Sequence, residues 1–360
     1  MTVLFYLLNM LLVKLKKYNF LEMAIINYQQ RLSTLTQRRF DRELNESVLT
    51  NSFNRTDIPD DFKYLAESMR PISRRSTEMT IEAAQRVQKH LDSKYELNFT
   101  NAYRTQGSIM TNSHIKASDF DLLVIINRYH FVAPGLPVAN PYQGEPKNDI
   151  SELRQQTYYI LKDIYDEIDN TNEKCITIFN KALQRKVDVV FGFWYNTPKY
   201  NETSDEYFRG IKFKPIQSQP DYPFAHIRNV NAKGDLTVDG SRMGIRLLKT
   251  LKEDCEEKLN EINSFQLTSI VHSIDDSKLT YQKGGEIKIA QSISSHFSKI
   301  INDDDFRKTI VSPNGLEKEV IPTSLIKKLQ RLKLDLDTLI EDASKDLRNS
   351  NILQQTILTY

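Results

Sequence analysis

The chain has 360 residues, 39% of them hydrophobic and 27% charged, with a formal net charge of 49 − 47 = +2. That length holds two modest domains or one two-lobed enzyme, and the apolar content supports a sizeable core rather than wholesale disorder. A near-neutral balance excludes a highly charged tail and provides no broad electrostatic surface for capturing nucleic acid, so no stable nucleic-acid partner is expected. Only Cys175 and Cys255 are cysteines. No disulfide framework or cysteine-rich zinc site follows from them, and a reducing cytoplasm is the expected compartment.

Met1–Val13 (MTVLFYLLNMLLV) is an apolar run followed by Lys14, Lys16 and Lys17. A spanning helix needs about 20 apolar residues, so no membrane span is expected. A secretory signal carries its positive charge before the apolar stretch, not after it. An interfacial anchor is one reading. A helix packed on the body, or an over-extended start with the ordinary protein beginning at Met23, are the preferred ones. Residues 1–22 are therefore set apart as an N-terminal extension.

From Asp60 to about Leu97 the pattern is helical, broken or bent near Pro71, and Ile81, Ala84, Val87, Leu91 and Tyr95 recur as one buried stripe. The period then changes. Asn98–Gln106 is strand-like and ends at Gly107-Ser108, and Asp119–Phe131 (DFDLLVIINRYHF) is a strongly apolar, β-rich run. Prolines and glycines mark 132–148 as a loop. Asp149–Asn170 returns to helix, Lys174–Phe179 and Arg185–Tyr195 read as strands, and Phe208–Phe213 as a further one. After Pro223 long helical segments dominate: Gly240–Leu259, Ser264–Ser273, Ile287–Ile301 and Leu325–Asp346. The fold class is α+β, with a mixed-sheet lobe and its N-terminal helices over 23–215 and a helical lobe over 216–360.

The chemistry concentrates in few residues. In an extended segment Asp119 and Asp121 share a face while Phe120 points away. Such close carboxylates repel unless a cation neutralises them, and Mg²⁺ suits a site that also takes phosphate oxygens. Otherwise the two acids merely cap a strand in solvent. Gly107 would let the backbone approach a phosphate, with the Ser108 hydroxyl and N–H bonding it. Asp188 sits between apolar neighbours in Lys186–Phe191, where an unpaired charge is costly. Its partner is either a shared metal or, on an exposed edge strand, Lys186 or Arg185.

Arg242, Arg246 and Lys249 recur at i, i+4 and i+7 on one predicted helix face, as a clamp for triphosphate or as a solvated stripe. His114, between Ser108 and Asp119, borders a nucleotide or lies on the surface. Phe120, Phe191, Phe193, Trp194 and Tyr195 read as core, with room for one to stack on a base. No Gly-x-Ser-x-Gly elbow or Walker loop is present.

Gly-Ser, then D-x-D on the next strand, then a lone Asp on a later strand resembles the polymerase-β-like nucleotidyltransferases. Tyr103–Ile126, with Pro223-Phe224-Ala225-His226-Ile227, Gly240-Ser241 and Arg246-Leu247-Leu248-Lys249, resembles more narrowly the bacterial cGAS/DncV-like nucleotidyltransferases of anti-phage signalling. The likeness covers roughly 99–314. It implies a catalytic lobe in which Asp119, Asp121 and Asp188 hold two Mg²⁺ ions, with Mn²⁺ as a substitute. It implies that Gly107 and Ser108 hold the β- and γ-phosphates and that Lys249, with Arg246 beside it, contacts phosphate. The activity implied is template-independent synthesis of a cyclic di- or trinucleotide from ATP, GTP or pyrimidine NTPs, which activates a downstream effector. The alternatives are transfer of a nucleotide to RNA, a small molecule or a protein, or a catalytically silent nucleotide-binding module.

Overall fold

A computed structural model describes residues 25–39, 58–115, 120–138, 142–214, 216 and 219–349. The apolar run of 1–22 and Asp119 lie outside the described residues. Helices α1 (Tyr28–Arg39), α2 (Asp60–Met69) and α3 (Arg74–Lys94) come first. Of the break or bend expected near Pro71, the structure has the break, and Ser73 restarts the chain by accepting the Ser76 N–H as an N-cap.

The sheet contains β1 (Asn101–Gln106), β2 (Asp121–Val132), β3 (Glu167–Asp169), β4 (Cys175–Asn180), β5 (Arg185–Asn196) and β6 (Gly210–Phe213). Its order is β1-β2-β5-β4-β3, and β6 pairs with β5. The β2–β5 pairing is parallel and the others are antiparallel, so the sheet is mixed, as expected. Helix α4 (Pro146–Lys162) crosses over between β2 and β3. The helix expected to reach Asn170 therefore stops early, because Ile168 pairs with Ile178 of β4 instead.

The two faces of the sheet are sorted by the period-two alternation of side chains. Leu122, Val124 and Ile126 of β2 and Val187, Val189 and Phe191 of β5 pack in one core with Ala84, Val87 and Leu91 of α3. Ile81, expected on that stripe, is 37% exposed; the buried face turns through Ala83 instead. Leu123, Ile125, Trp194 and Ile211 form a smaller core on the opposite face. By the same alternation Asp121 and Asp188 belong to this second face, away from α3.

The remaining helices are α5 (Pro198–Thr203), α6 (Pro223–Leu236), α7 (Gly240–Asp254), α8 (Ser264–His272), α9 (Asp276–Leu279), α10 (Glu286–Asn302), α11 (Asp304–Lys308) and α12 (Ile326–Asn349). Leu247, Leu251, Ile293, Phe297 and Leu336 share a third core with Phe62, Leu65 and Met69 of α2. Buried polar ties reinforce it: Arg31 Nη2 reaches Asp335 at 2.7 Å, and the Tyr64 hydroxyl donates to Asp254 at 2.8 Å. Helices α1 and α2 thus bury their apolar faces in the helical core, although the sequence reading groups them with the sheet lobe; among the first three helices only α3 covers the sheet. No helix among the described residues is long and apolar enough to cross a membrane.

The start of α7 packs backbone against backbone. A Cβ on Gly240 would lie 1.8 Å from the Leu279 carbonyl oxygen. Gly240→Ala is expected to lower stability by about 1–3 kcal/mol through overpacking. Denaturant melts check this, and an unchanged midpoint would show that the contact opens freely.

Candidate active site

Strand register assembles the acidic centre. Gln106 pairs with Asp121, Asp121 with Asp188, and Asp188 with Thr177, so one row of polar side chains crosses β1, β2, β5 and β4. Gln106 Nε2 donates to Asp121 Oδ2 at 3.4 Å, and Thr177 Oγ1 donates to Asp188 Oδ1 at 2.5 Å. Lys186 Nζ lies 3.4 Å from Asp188 Oδ2. Asp188 therefore has the lysine partner that the sequence allowed, yet its strand is interior and the residue is buried at 8% exposure. Two carboxylates on adjacent strands form a hard-oxygen donor set of the kind Mg²⁺ takes. No group of three or more acidic, histidine or cysteine side chains is placed to hold a metal among the described residues, and Asp119 lies outside them.

The Gly-Ser turn follows β1. Gly107 has φ 97° and ψ −178°, a region that favours glycine, and begins a 3-10 turn over Ser108–Thr111. Asn112 ends the turn in the left-handed region at φ 51°. Two sparsely populated conformations thus flank the turn, and such conformations persist where the surroundings hold them.

Helix α7 does the holding. Arg242 Nε donates to the Thr111 carbonyl at 3.1 Å, Arg246 Nη1 to Asn112 at 2.5 Å, and Lys249 Nζ to Ser113 at 3.0 Å. Three consecutive carbonyls are thus bound by three cations on one helix face. Arg246 also donates to the Met69 carbonyl at 2.6 Å and to Asp239 Oδ2 at 2.5 Å, and it is wholly buried. The row is neither a solvated stripe nor a set of free triphosphate ligands. Arg246 is absent from the cavity wall, because its guanidinium is directed at protein acceptors. Lys249 alone of the three both bonds the turn and lines the cavity. Burial, then Arg246 and Lys252, lowers its pKa to about 7.

His114 is buried against Thr77, with Nε2 3.0 Å from the hydroxyl, and does not line the cavity. Burial, then Lys249 and Arg246, lowers its pKa to about 4.

The cavity has a volume of about 800 Å³. Gly107, Ser108 and Asp121 line one side, and Lys249 and Lys252 another. Phe213 and Tyr222 come from the sheet side, while Phe265 at the start of α8 closes the far end, stacked on His226 at 5.4 Å and 23°. These aromatics are not among those the sequence points to: Phe120, Phe191 and Phe193, close in sequence to the acidic residues, are all buried in the core under α3. Phe265 and Tyr222 sit at element junctions with no motif, so no local signal marked them.

No family model matches the chain. It is 29% identical over 265 residues to a cyclic dinucleotide synthase, CdnE, of Yersinia aleksiciae, covering 71% of this chain and 69% of that one. It is 28% identical over 323 residues to a c-di-GMP synthase of a Flavobacteriaceae species, covering 81% and 86%. The solved STING-associated CdnE c-di-GMP synthase of Capnocytophaga granulosa superposes with a TM-score of 0.74 at 25% identity, covering 89% of this chain and 99% of that one. The chain resembles the cGAS/DncV-like nucleotidyltransferases over most of its length. Nucleotidyl transfer is the chemistry of these relatives, and likeness to them implies metal-dependent catalysis.

The buried clamp leads to two expectations. Arg246→Leu leaves the Met69 and Asn112 carbonyls without this donor, while Asp239 keeps Arg242 at 3.3 Å, and should cost about 1–3 kcal/mol of stability, as an unsatisfied buried acceptor does. Chemical denaturation measures this, and a loss below about 1 kcal/mol would show that the carbonyls find other partners.

Lys249 provides the pH test. Its folded pKa lies below the ordinary value of 10.5, so burial has disfavoured the charged form. Between about pH 7 and pH 10 the unfolded chain holds a proton that the folded one releases, so this group's contribution to stability rises with pH across that window. A triphosphate favours the charged form, so NTP binding at about pH 8 should draw in up to one proton. Calorimetry in buffers of different ionisation heat should detect the uptake and find it gone in Lys249→Met. Equal uptake in both proteins would remove Lys249 from the phosphate site.

Proposed function

We propose that this protein is a nucleotidyltransferase that joins two NTPs, GTP among them, into a cyclic dinucleotide that activates a downstream effector. The observation that carries the reading is the pairing of Asp121 with Asp188 on adjacent strands, with Asp121 facing a cavity shared with the Gly107-Ser108 turn. A cavity of about 800 Å³ suits small-molecule substrates, and the near-neutral chain offers no polymer track. The names of the similar proteins, cyclic dinucleotide and c-di-GMP synthases, support the same product class.

In this reading Asp119, Asp121 and Asp188 hold two Mg²⁺ ions, which when bound would lower the pKa of the attacking ribose hydroxyl and stabilise the departing pyrophosphate. Gly107 permits close approach of the β- and γ-phosphates, the Ser108 hydroxyl bonds them, and Lys249 adds a charged contact. Arg246 acts one step removed, by fixing the turn. Thr177 and Gln106 each occupy one oxygen of their aspartate, so both carboxylates are oriented before substrate arrives. Asp188 takes the hydroxyl proton. The hydroxyl oxygen of one nucleotide bonds to the α-phosphorus of the other, and the bond to pyrophosphate breaks. A second such displacement closes the ring and releases a second pyrophosphate.

Labelled NTPs incubated with the protein and Mg²⁺, then treated with phosphatase, test the proposal. A phosphatase-resistant dinucleotide is expected from the wild type, and none from Asp121→Ala or Asp188→Ala. Label recovered wholly as inorganic phosphate, or only on added RNA, would move the assignment to nucleotide addition on another acceptor.

A further inference from the structure

One carboxylate on the cavity wall has no role in the chemistry above. Asp221 lies between β6 and α6, and its backbone is tied in both directions to Ile211, N–H to carbonyl at 2.9 and 2.8 Å. Its side chain is half-buried and lines the cavity. Among the described residues none donates a hydrogen bond to it or forms a close ion pair with it. Burial, then the nearby charge of Glu317, raises its pKa, and Lys174 offsets this in part. Glu317 differs: it accepts from the Ser312 hydroxyl and from Asn314 Nδ2 at 3.3 Å. One acid is satisfied by its own loop, and the other is left for a ligand.

A half-buried carboxylate without a donor is costly, so this position favours a ligand that brings donors. The surrounding wall suits a flat ring, with Tyr222 next in sequence, Phe213 on β6 and the Phe265–His226 stack. His226 supplies an independent sign of a ligand. Burial holds its pKa at about 4, so it is neutral, and its buried Nδ1 has no partner among the described residues. Guanine presents two adjacent donors, N1–H and the N2 amino group, spaced to meet both oxygens of one carboxylate. Adenine and cytosine place an acceptor at the corresponding ring nitrogen, which a carboxylate repels, and uracil offers one donor between two carbonyls.

We propose that Asp221 is the base-selecting residue of this enzyme, accepting N1–H and N2–H of a guanine that lies against the Tyr222 and Phe265 walls. The proposal rests on the cyclic dinucleotide reading for its substrate class, and it names the residue that chooses the base.

The experiment is direct titration of GTP, ITP and ATP into wild type and Asp221→Asn, which needs no turnover. ITP lacks only the 2-amino group. Wild type should bind GTP more tightly than ITP or ATP, and Asp221→Asn should weaken GTP by roughly ten- to hundred-fold while leaving ATP and the melting temperature unchanged. Equal wild-type affinity for GTP and ITP would overturn the proposal, and so would a GTP preference retained in Asp221→Asn or a parallel loss of GTP and ATP. The wild-type comparison stands even if the variant fails to fold. Absence of any cyclic dinucleotide from wild type would sink the functional reading instead, and the titration would still decide the role of Asp221.

Discussion

The three hydrogen bonds from Arg242, Arg246 and Lys249 to the carbonyls of Thr111, Asn112 and Ser113 hold the two halves of the molecule in register. A buried guanidinium is tolerable only where its fixed fork of N–H donors finds acceptors. Arg246 finds them on three separate segments: the end of α2 at Met69, the turn at Asn112, and Asp239 at the start of its own helix. The turn sits between a strand of the sheet lobe and a helix of the helical lobe. Wherever α7 lies, Gly107 and Ser108 must follow.

The sheet supplies the second constraint. The parallel pairing of β2 with β5 sets Asp121 opposite Asp188, and the antiparallel partners on each side bring Gln106 and Thr177 to brace them. Leu123 and Ile125, the next two residues on the Asp121 face of β2, are apolar and pack in the small second core, so the acids stand at the rim of that face rather than inside it. The cost of two adjacent carboxylates is thereby shared between hydrogen bonds, Lys186 and the open cavity.

Lys249 links these two constraints. It belongs to the clamp through Ser113 and also lines the cavity, and its lowered pKa records a buried position short of counter-ions. An arriving triphosphate supplies the missing negative charge. Substrate binding and the setting of the Gly-Ser turn therefore share one ammonium group. The Asp221 wall of the cavity is built differently, from aromatic faces, neutral polar groups and an acid with Lys174 nearby, which fits recognition of a base.

The sequence by itself determined the features carried within one segment. Alternation marked β2 and β5, helical spacing marked α3, α7, α10 and α12, and D-x-D with Gly-Ser and Asp188 marked the chemistry together with a family likeness. Helix ends shifted where a neighbour intervened, as at β3, whose pairing with β4 no local pattern announces. Periodicity shows that a face is apolar, but not which core receives it. The tertiary structure therefore decided that α1 and α2 join the helical core. It also decided that Arg246 points at carbonyls rather than phosphate, since its acceptors lie 177 and 134 residues away in the chain. Asp221, Phe265 and Tyr222 gained a common wall the same way, because a cavity is made by segments that meet only when the chain is folded.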